Sequence, residues 1–289
     1  KEYVRELIKY SPNIRCKYAH GNHPSIVADL DCDFIPLDDL HKSVNPFVKL
    51  MQIDESGTLY INTWIGCWVG EYLHPGVQDN ANFVILYSAW SELYQLLGLR
   101  LQSDPMAYLP SINWDIFDLT HANQFLEIVR GKPLLLFCNG KQQSLQSDMG
   151  DMKDIVETLA LEYSDHEFLL TYPVQIDLPN VHFTENIFKE DVGRLNDIAY
   201  ISQHSKIIFG KNSGPFSYAH TRQNLYNPDL IYLSFSKKIK ECLTGDGLYR
   251  AKTFFSDITE TTAAVTICKK LIDTSVCSDL NFDRIKKLE

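Results

Sequence analysis

Hydrophobic and polar positions fall into two regimes along this chain. From residue 133 onward, short apolar runs alternate with amphipathic stretches. Pro133–Cys138 (PLLLFC), Glu167–Tyr172 (EFLLTY), Asn180–Thr184, Lys206–Gly210 and Leu230–Phe235 read as strands. Residues 151–163, 191–204, those from Pro215 onward and 257–273 read as helices. Continuous apolar runs suit strands covered on both faces. Their alternation with helices predicts βαβ units and a parallel, doubly wound sheet.

The earlier part is less regular. Tyr3, Val4, Leu7 and Ile8 have helical spacing over residues 1–10, and Ser11-Pro12-Asn13 stops that helix. Ile14–Ala19, Asp33–Leu37 and residues 58–65 (TLYINTWI) are strand candidates. Residues 79–98 read as a helix ending at Gly98, a natural C-cap. Residues 102–115 carry Pro105 and Pro110 without a clear period and read as a connection. A helix over 118–130 follows, with Asp118 or Thr120 near its cap. The expectation is an α/β protein of two facing Rossmann-like domains, 1–115 and 116–289, with parallel doubly wound sheets and a cleft at the carboxyl ends of the strands.

Composition narrows the function classes. With 289 residues, 45% hydrophobic and 22% charged, the chain is an ordinary globular protein. Its net charge of −10 argues against nucleic acid as a partner, because phosphate backbones demand a basic surface. A small phosphorylated ligand needs only one lysine and a few N–H groups. The seven cysteines (Cys16, Cys32, Cys67, Cys138, Cys242, Cys268, Cys277) are odd in number and contain no C-x-x-C pair. That speaks for reduced thiols in a cytoplasmic protein rather than disulfides or zinc. Cys138 reads as a small core residue within its apolar run. No run reaches the roughly 18 apolar residues of a membrane span, which leaves room for peripheral membrane contact only. The chain opens on Lys1 rather than Met, so a further N-terminal segment is expected before it, and Leu288-Glu289 reads as a cloning remnant.

Two loops carry the candidate chemistry. The first follows PLLLFC and reads Asn139-Gly140-Lys141-Gln142-Gln143-Ser144. Gly140 permits close backbone approach, Lys141 supplies a cation and Ser144 a hydroxyl. The G-x-x-x-x-G-K-[ST] phosphate loop is absent, as is the dinucleotide G-x-G-x-x-G. The second loop lies in KIIFGKNSGPFSYAH, residues 206–220: a strand ends at Gly210, Asn212-Ser213-Gly214 turns, and Pro215 opens a helix. Ser213 and the N–H groups around Gly214 suit a diphosphate.

The run from Leu195 to Ala199, then Ser205-Lys206-Ile207-Ile208-Phe209-Gly210-Lys211-Asn212-Ser213-Gly214-Pro215, resembles the C-terminal half of GT-B-fold glycosyltransferases, above all the heptosyltransferase-like group. There a helix and a strand precede an Asp-Thr-Gly-Pro turn. Here Asn212 stands where that group has Asp, and Tyr218-Ala219-His220 departs from its usual His-Leu. The resemblance covers about residues 131–273, and the group's Gly-rich N-terminal loop would precede residues 1–10. It implies a hexosyl- or heptosyl-type transferase of polysaccharide biosynthesis that is metal-independent and inverting. Such an enzyme needs no cofactor, takes a nucleoside-diphosphate sugar as donor, and takes a glycan or lipid-linked hydroxyl as acceptor. Thr184 and Glu185 would then meet the base or ribose, and Lys141 the leaving diphosphate. The acceptor base would come from the first domain, where His23 and His74 are the candidates beside His20.

Trp64, Trp68 and Tyr72 suit either core packing or stacking on an acceptor sugar. Asp31, Asp33, Asp38 and Asp39 read as turn residues. An epimerase or hydrolase of the same fold would share the donor pocket. A non-catalytic glycan- or partner-binding protein is the other alternative.

Overall fold

The computed structural model describes residues 2–10, 15–18, 27–36, 51–53, 55–57, 59–61, 90–140, 147–188, 194–211, 213–236, 250–275 and 286–287. The chain divides into two compact units, Lys1–Leu109 and Pro110–Glu289.

In the first unit, helix α1 (Glu2–Ile8) is followed by a parallel pair, β1 (Arg15–Tyr18) and β2 (Asp33–Pro36), then by an antiparallel pair, β3 (Met51–Ile53) and β4 (Leu59–Ile61). The antiparallel pair departs from the all-parallel expectation. Only five residues separate β3 from β4, far fewer than the dozen or so that a parallel crossover needs. Residues 90–96 are helical. That helix ends as expected: Gly98 has φ +71°, its N–H donates to Gln95 O, and the Leu99 N–H donates to Tyr94 O. This is a Schellman end, in which glycine takes the left-handed position without a Cβ penalty. Tyr3 stacks between Trp90 and Tyr108, with centroids at 5.0 and 4.7 Å, and forms the heart of this unit's core.

The second unit is built on one parallel sheet. Its strands are β5 (Leu134–Cys138), β6 (Glu167–Leu170), β7 (Val181–Phe183), β8 (Ser205–Lys211), β9 (Ile231–Phe235), β10 (Lys252–Ser256) and β11 (Lys286–Lys287). They are arranged in the order β11-β10-β9-β8-β5-β6-β7, with every pair parallel. Strands β5, β6, β8 and β9 were legible as apolar runs. β10 was missed, because KTFFS is short and has no alternation to mark it.

Among the described residues the helices of this unit include α2 (Thr120–Ile128), α3 (Lys153–Glu162), α4 (Thr184–Ile187), which the sequence did not signal, α5 (Arg194–Ser202), α6 (Gly214–Tyr218) and, at the end, a long helix over Thr261–Ser275. A short α7 (Arg222–Leu225) lies between α6 and β9, so the long one is α8. Leu119 rather than Asp118 precedes α2, yet the Asp118 carboxylate still accepts the Thr120 N–H at 3.0 Å.

Strand alternation sends side chains to two helical layers. Leu135, Phe137, Phe168, Leu170, Ile207, Phe209 and Leu233 join the apolar faces of α3 and α8. Phe137 stacks on Phe209 at 4.5 Å and on Phe168 at 6.1 Å, which ties the adjacent strands β8, β5 and β6 together. On the opposite face α6 packs so closely that a Cβ at Gly210 would sit 2.3 Å from the Phe216 ring and 3.1 Å from Cys138 Cβ. Buried His220 follows, its Nδ1 bonded to Phe216 O and its ring stacked on Tyr232 at 4.4 Å. Burial pushes its pKa down to about 4, so the ring is neutral and Nδ1–H is the donor.

Gly210 is therefore a packing requirement. Gly210→Ala is expected to destabilise the protein by about 1–3 kcal/mol through overpacking. Gly140→Ala, which meets open space, is the matched control. Urea denaturation of both variants checks this, and equal midpoints would refute it.

Candidate functional site

The strand order reverses once. From β5 the chain steps outward through β6 and β7, then returns to the other side of β5 as β8 and continues to β9 and β10. The loops leaving β5 and β8 must diverge to opposite sides, and the crevice between them is where doubly wound sheets take ligands. Cys138 pairs with Gly210 in register, so Asn139 and Lys211 are neighbours at the carboxyl edge. The sequence singled out these two loops separately, and the topology brings them together.

Asn139 is buried and its amide is fully engaged. Nδ2 donates to Tyr172 O at 2.9 Å and to Asp151 O at 3.2 Å, while Oδ1 accepts the Tyr172 N–H at 2.8 Å. It ties the ends of β5 and β6 to the segment before α3, so its side chain frames the crevice rather than facing it. Gly140 has open space around its Cα. Lys141 and Ser144 lie outside the described residues.

From β8, Lys211 reaches across to the β5–α3 segment, and its Nζ donates to Gly150 O at 3.0 Å. The lysine is buried, and desolvation holds its pKa below the usual 10.5 while the nearby Asp151 carboxylate opposes that shift. The sequence reading passed over Lys211 in favour of Lys141. The signal was present: a lysine closing the apolar run IIFGK. Ser213 precedes α6, and its side chain makes no capping bond. Its Oγ is buried without a hydrogen-bond partner among the described residues. Asn212 lies outside them, whereas Gly214 is exposed and Pro215 sits in the first turn of α6. α6 runs for five residues only, so its dipole contributes less than the sequence suggested.

Two more hydroxyls at this edge, Thr171 Oγ1 after β6 and Ser234 Oγ near the end of β9, are likewise buried without a partner among the described residues. Tyr172, whose backbone is held by Asn139, is 39% exposed next to Thr171. Met152, just before α3, has φ +63° and is the one non-glycine with positive φ among the described residues. Strain of that kind, of order 1–3 kcal/mol, concentrates at functional sites. Thr184 is buried and donates to Thr171 O at 3.2 Å, so it braces β6 against α4. Glu185 beside it is exposed to solvent. His23 and His74 lie outside the described residues, as do Trp64, Trp68 and Tyr72.

No protein-family profile matches the chain, and no curated protein matches it in sequence. Solved structures do. The ADP-heptose LPS heptosyltransferase II of E. coli matches with a TM-score of 0.41 and 10% identity, over 71% of this chain and 66% of that one. A glycosyl transferase family 9 structure from Veillonella parvula matches with a TM-score of 0.40 and 11% identity, over 65% and 52%. A chain described as a UDP-N-acetylglucosamine 2-epimerase from Listeria monocytogenes matches with a TM-score of 0.35 and 13% identity, over 52% and 39%. The match therefore spans less than two thirds of each of those chains. The group that the sequence motifs resemble is among these neighbours. Among the described residues no helix is long and apolar enough to cross a membrane.

Lys211 separates structural from functional roles. Its depressed pKa means the folded state is penalised while the ammonium stays charged. The penalty is fully present below the folded pKa and fades as pH rises towards 10.5. Lys211→Met is expected to match or exceed the wild type in thermal stability near neutral pH, and to lose that advantage as pH approaches 10.5. Melting curves from pH 7 upward test it. A variant far less stable than wild type at neutral pH would make Lys211 a structural tie.

Proposed function

We propose that this protein is a glycosyltransferase moving a sugar from a nucleoside-diphosphate donor to a hydroxyl acceptor. In this proposal the protein is a GT-B-type enzyme that acts in the cytoplasm on a glycan or lipid-linked acceptor. The observation that carries the reading is a buried lysine at the switch point, Lys211, two residues before Ser213, whose buried hydroxyl has no hydrogen-bond partner among the described residues. A cation and free donors in a partly desolvated crevice suit a diphosphate, and they suit it best as charge accumulates on it.

In the proposed reaction an acceptor oxygen attacks the anomeric carbon from the face opposite the diphosphate. The bond from that carbon to the diphosphate oxygen breaks, and the electron pair leaves on the diphosphate. Lys211 and Lys141 offset its charge and the Ser213 hydroxyl donates a hydrogen bond to it, in place of a metal. The acceptor proton passes to a base of the first unit, His23 or His74. Tyr172 offers a ring for the nucleobase or donor sugar, and Glu185 a carboxylate for ribose hydroxyls. Asn139, Gly140, Ser144, Thr184, Asn212, Gly214 and Pro215 shape the loops around this ligand.

A thermal-shift screen against UDP-, GDP-, ADP-, CDP- and CMP-linked sugars, with magnesium or with EDTA, tests the proposal. One nucleotide class is expected to stabilise the protein by about 2.7 kcal/mol at a hundredfold excess over its dissociation constant, equally in both buffers. Lys211→Met, Lys141→Ala and Ser213→Ala are each expected to weaken that ligand about tenfold or more, the usual loss of a hydrogen bond to a charged group. Silence from every nucleotide would overturn the reading. Product analysis with and without an acceptor then separates transfer from epimerisation and hydrolysis.

A further inference from the structure

The Asn139 side chain stands where β5 and β6 part. The last backbone rung there is the Thr171 N–H donating to Phe137 O at 3.0 Å. One step further on, the Asn139 carboxamide takes the place of the backbone. Its Oδ1 accepts the Tyr172 N–H at 2.8 Å, and its Nδ2 donates to Tyr172 O at 2.9 Å. A carboxamide can do this because it carries an acceptor and donors in one plane, as a peptide does. Nδ2 also donates to Asp151 O at 3.2 Å, 12 positions along the chain. The residue is 1% exposed, and both of its N–H groups are spent.

The bond to Asp151 O acts on a strained peptide. Met152 has φ +63°, and that angle fixes how the Asp151–Met152 peptide plane sits against α3. A non-glycine residue keeps such a value only where its surroundings hold it on both sides. On one side the Met152 carbonyl accepts the Val156 N–H at 3.0 Å, which anchors the residue to the first turn of α3. On the other side the Asp151 carbonyl is held by the Asn139 amide. The peptide just upstream carries the Gly150 carbonyl, which accepts the Lys211 ammonium at 3.0 Å. Lys211 is therefore seated on a segment that Asn139 keeps from relaxing.

We propose that Asn139 is a positioning residue for the crevice: through the Asp151–Met152 peptide it fixes the Gly150 carbonyl, and through that carbonyl it sets where the Lys211 ammonium stands for a phosphate. The proposal rests on the reading of the crevice as a nucleoside-diphosphate site. Asn139 touches no ligand itself. Without its amide, Met152 relaxes, the Gly150 carbonyl turns away and the ammonium loses its fixed place. A ligand must then order the lysine as it binds, which weakens binding. Water also reaches the lysine, so its pKa climbs back from its depressed value towards 10.5. Asn180 offers a matched comparison at the opposite edge of the sheet. It is 6% exposed, and its Nδ2 donates to the carbonyls of Ala160 and His166 at 3.0 and 3.1 Å. Its loss removes similar bonds at the far end of α3.

Carbon-13 NMR of lysine-labelled protein tests it, with the Lys211 signal identified by its absence from Lys211→Met. Asn139→Ala is expected to move that signal and its titration midpoint towards those of exposed lysines. Asn180→Ala is expected to leave both in place. Calorimetric titration with inorganic pyrophosphate probes the anion site directly, and binding is expected to weaken about tenfold in Asn139→Ala and less than about twofold in Asn180→Ala. Asn139→Asp keeps the shape of the side chain and serves equally if Asn139→Ala does not fold. Its ionised carboxylate has no hydrogen for the two carbonyls, and protonation returns one donor. Its pyrophosphate affinity relative to wild type is expected to recover in part from about pH 7 to about pH 5, which a merely structural loss would not do. An unmoved Lys211 signal in Asn139→Ala, an equal effect of Asn180→Ala, or no recovery in Asn139→Asp would each overturn the proposal. A wild type indifferent to pyrophosphate, with the Lys211 signal moving as expected, would bring down the reading of the crevice and with it the role of Asn139 in binding.

Discussion

A strand covered on both faces has nowhere along its length to hold a polar side chain, and this constraint organises the second unit. Phe137 sits between Phe168 and Phe209, and the apolar faces of α3 and α8 cover that stack. Every polar group that does more than close the backbone ladder is pushed to the strand ends. The reversal of strand order between β5 and β8 then decides which ends lie side by side. The candidate site is a consequence of this layout before it is a consequence of particular residues.

The two edges of the sheet are treated differently. At the amino edge several polar groups are paired off, although Gln203 Nε2, just before β8, is buried without a hydrogen-bond partner among the described residues. Glu167, the first residue of β6, accepts from Lys132 at 2.5 Å and is bonded to His182 at 2.6 Å. Asn180, just before β7, donates to the carbonyls of Ala160 and His166 and so finishes helix α3. At the carboxyl edge, Thr171, Ser213 and Ser234 keep buried hydroxyls without partners among the described residues. Leaving a buried hydroxyl unpaired costs about 1–3 kcal/mol, and folded proteins avoid it in general. Three such hydroxyls at one edge leave donors that a ligand could engage.

Much of this was legible in the sequence, for a physical reason. Runs such as PLLLFC and EFLLTY are long enough to exclude a surface role, and their alternation with amphipathic segments leaves few topologies. Gly98 was readable as a helix end because a single residue's backbone freedom decides that position. What escaped depended on partners distant in sequence. Asn139 looked like a ligand-facing residue until its amide was found spent on Tyr172 and Asp151, 33 and 12 positions away. Gly210 gave no sign that the Phe216 ring would occupy the place of its Cβ. Lys211 was hidden by the neighbouring Asn-Ser-Gly turn, which carries the stronger local signature.

Lys211 bears most of the weight of the functional reading, and its structural return is small. It ends a strand whose other late residues, Ile208 and Phe209, are wholly apolar and buried. A methionine would fill the same space without a charge to desolvate. Its bond to Gly150 O is no compensation, because Gly150 is exposed and water could satisfy that carbonyl. Asp151 offsets the cost of burying the ammonium only in part, since the net pull on the lysine remains downward. A cation kept at such a place is poorly explained by folding alone. It is well explained by an anion that arrives later, restores the charge balance and draws the Ser213 hydroxyl into the same network. On that account the instability built into the carboxyl edge is the binding energy held in reserve for the ligand.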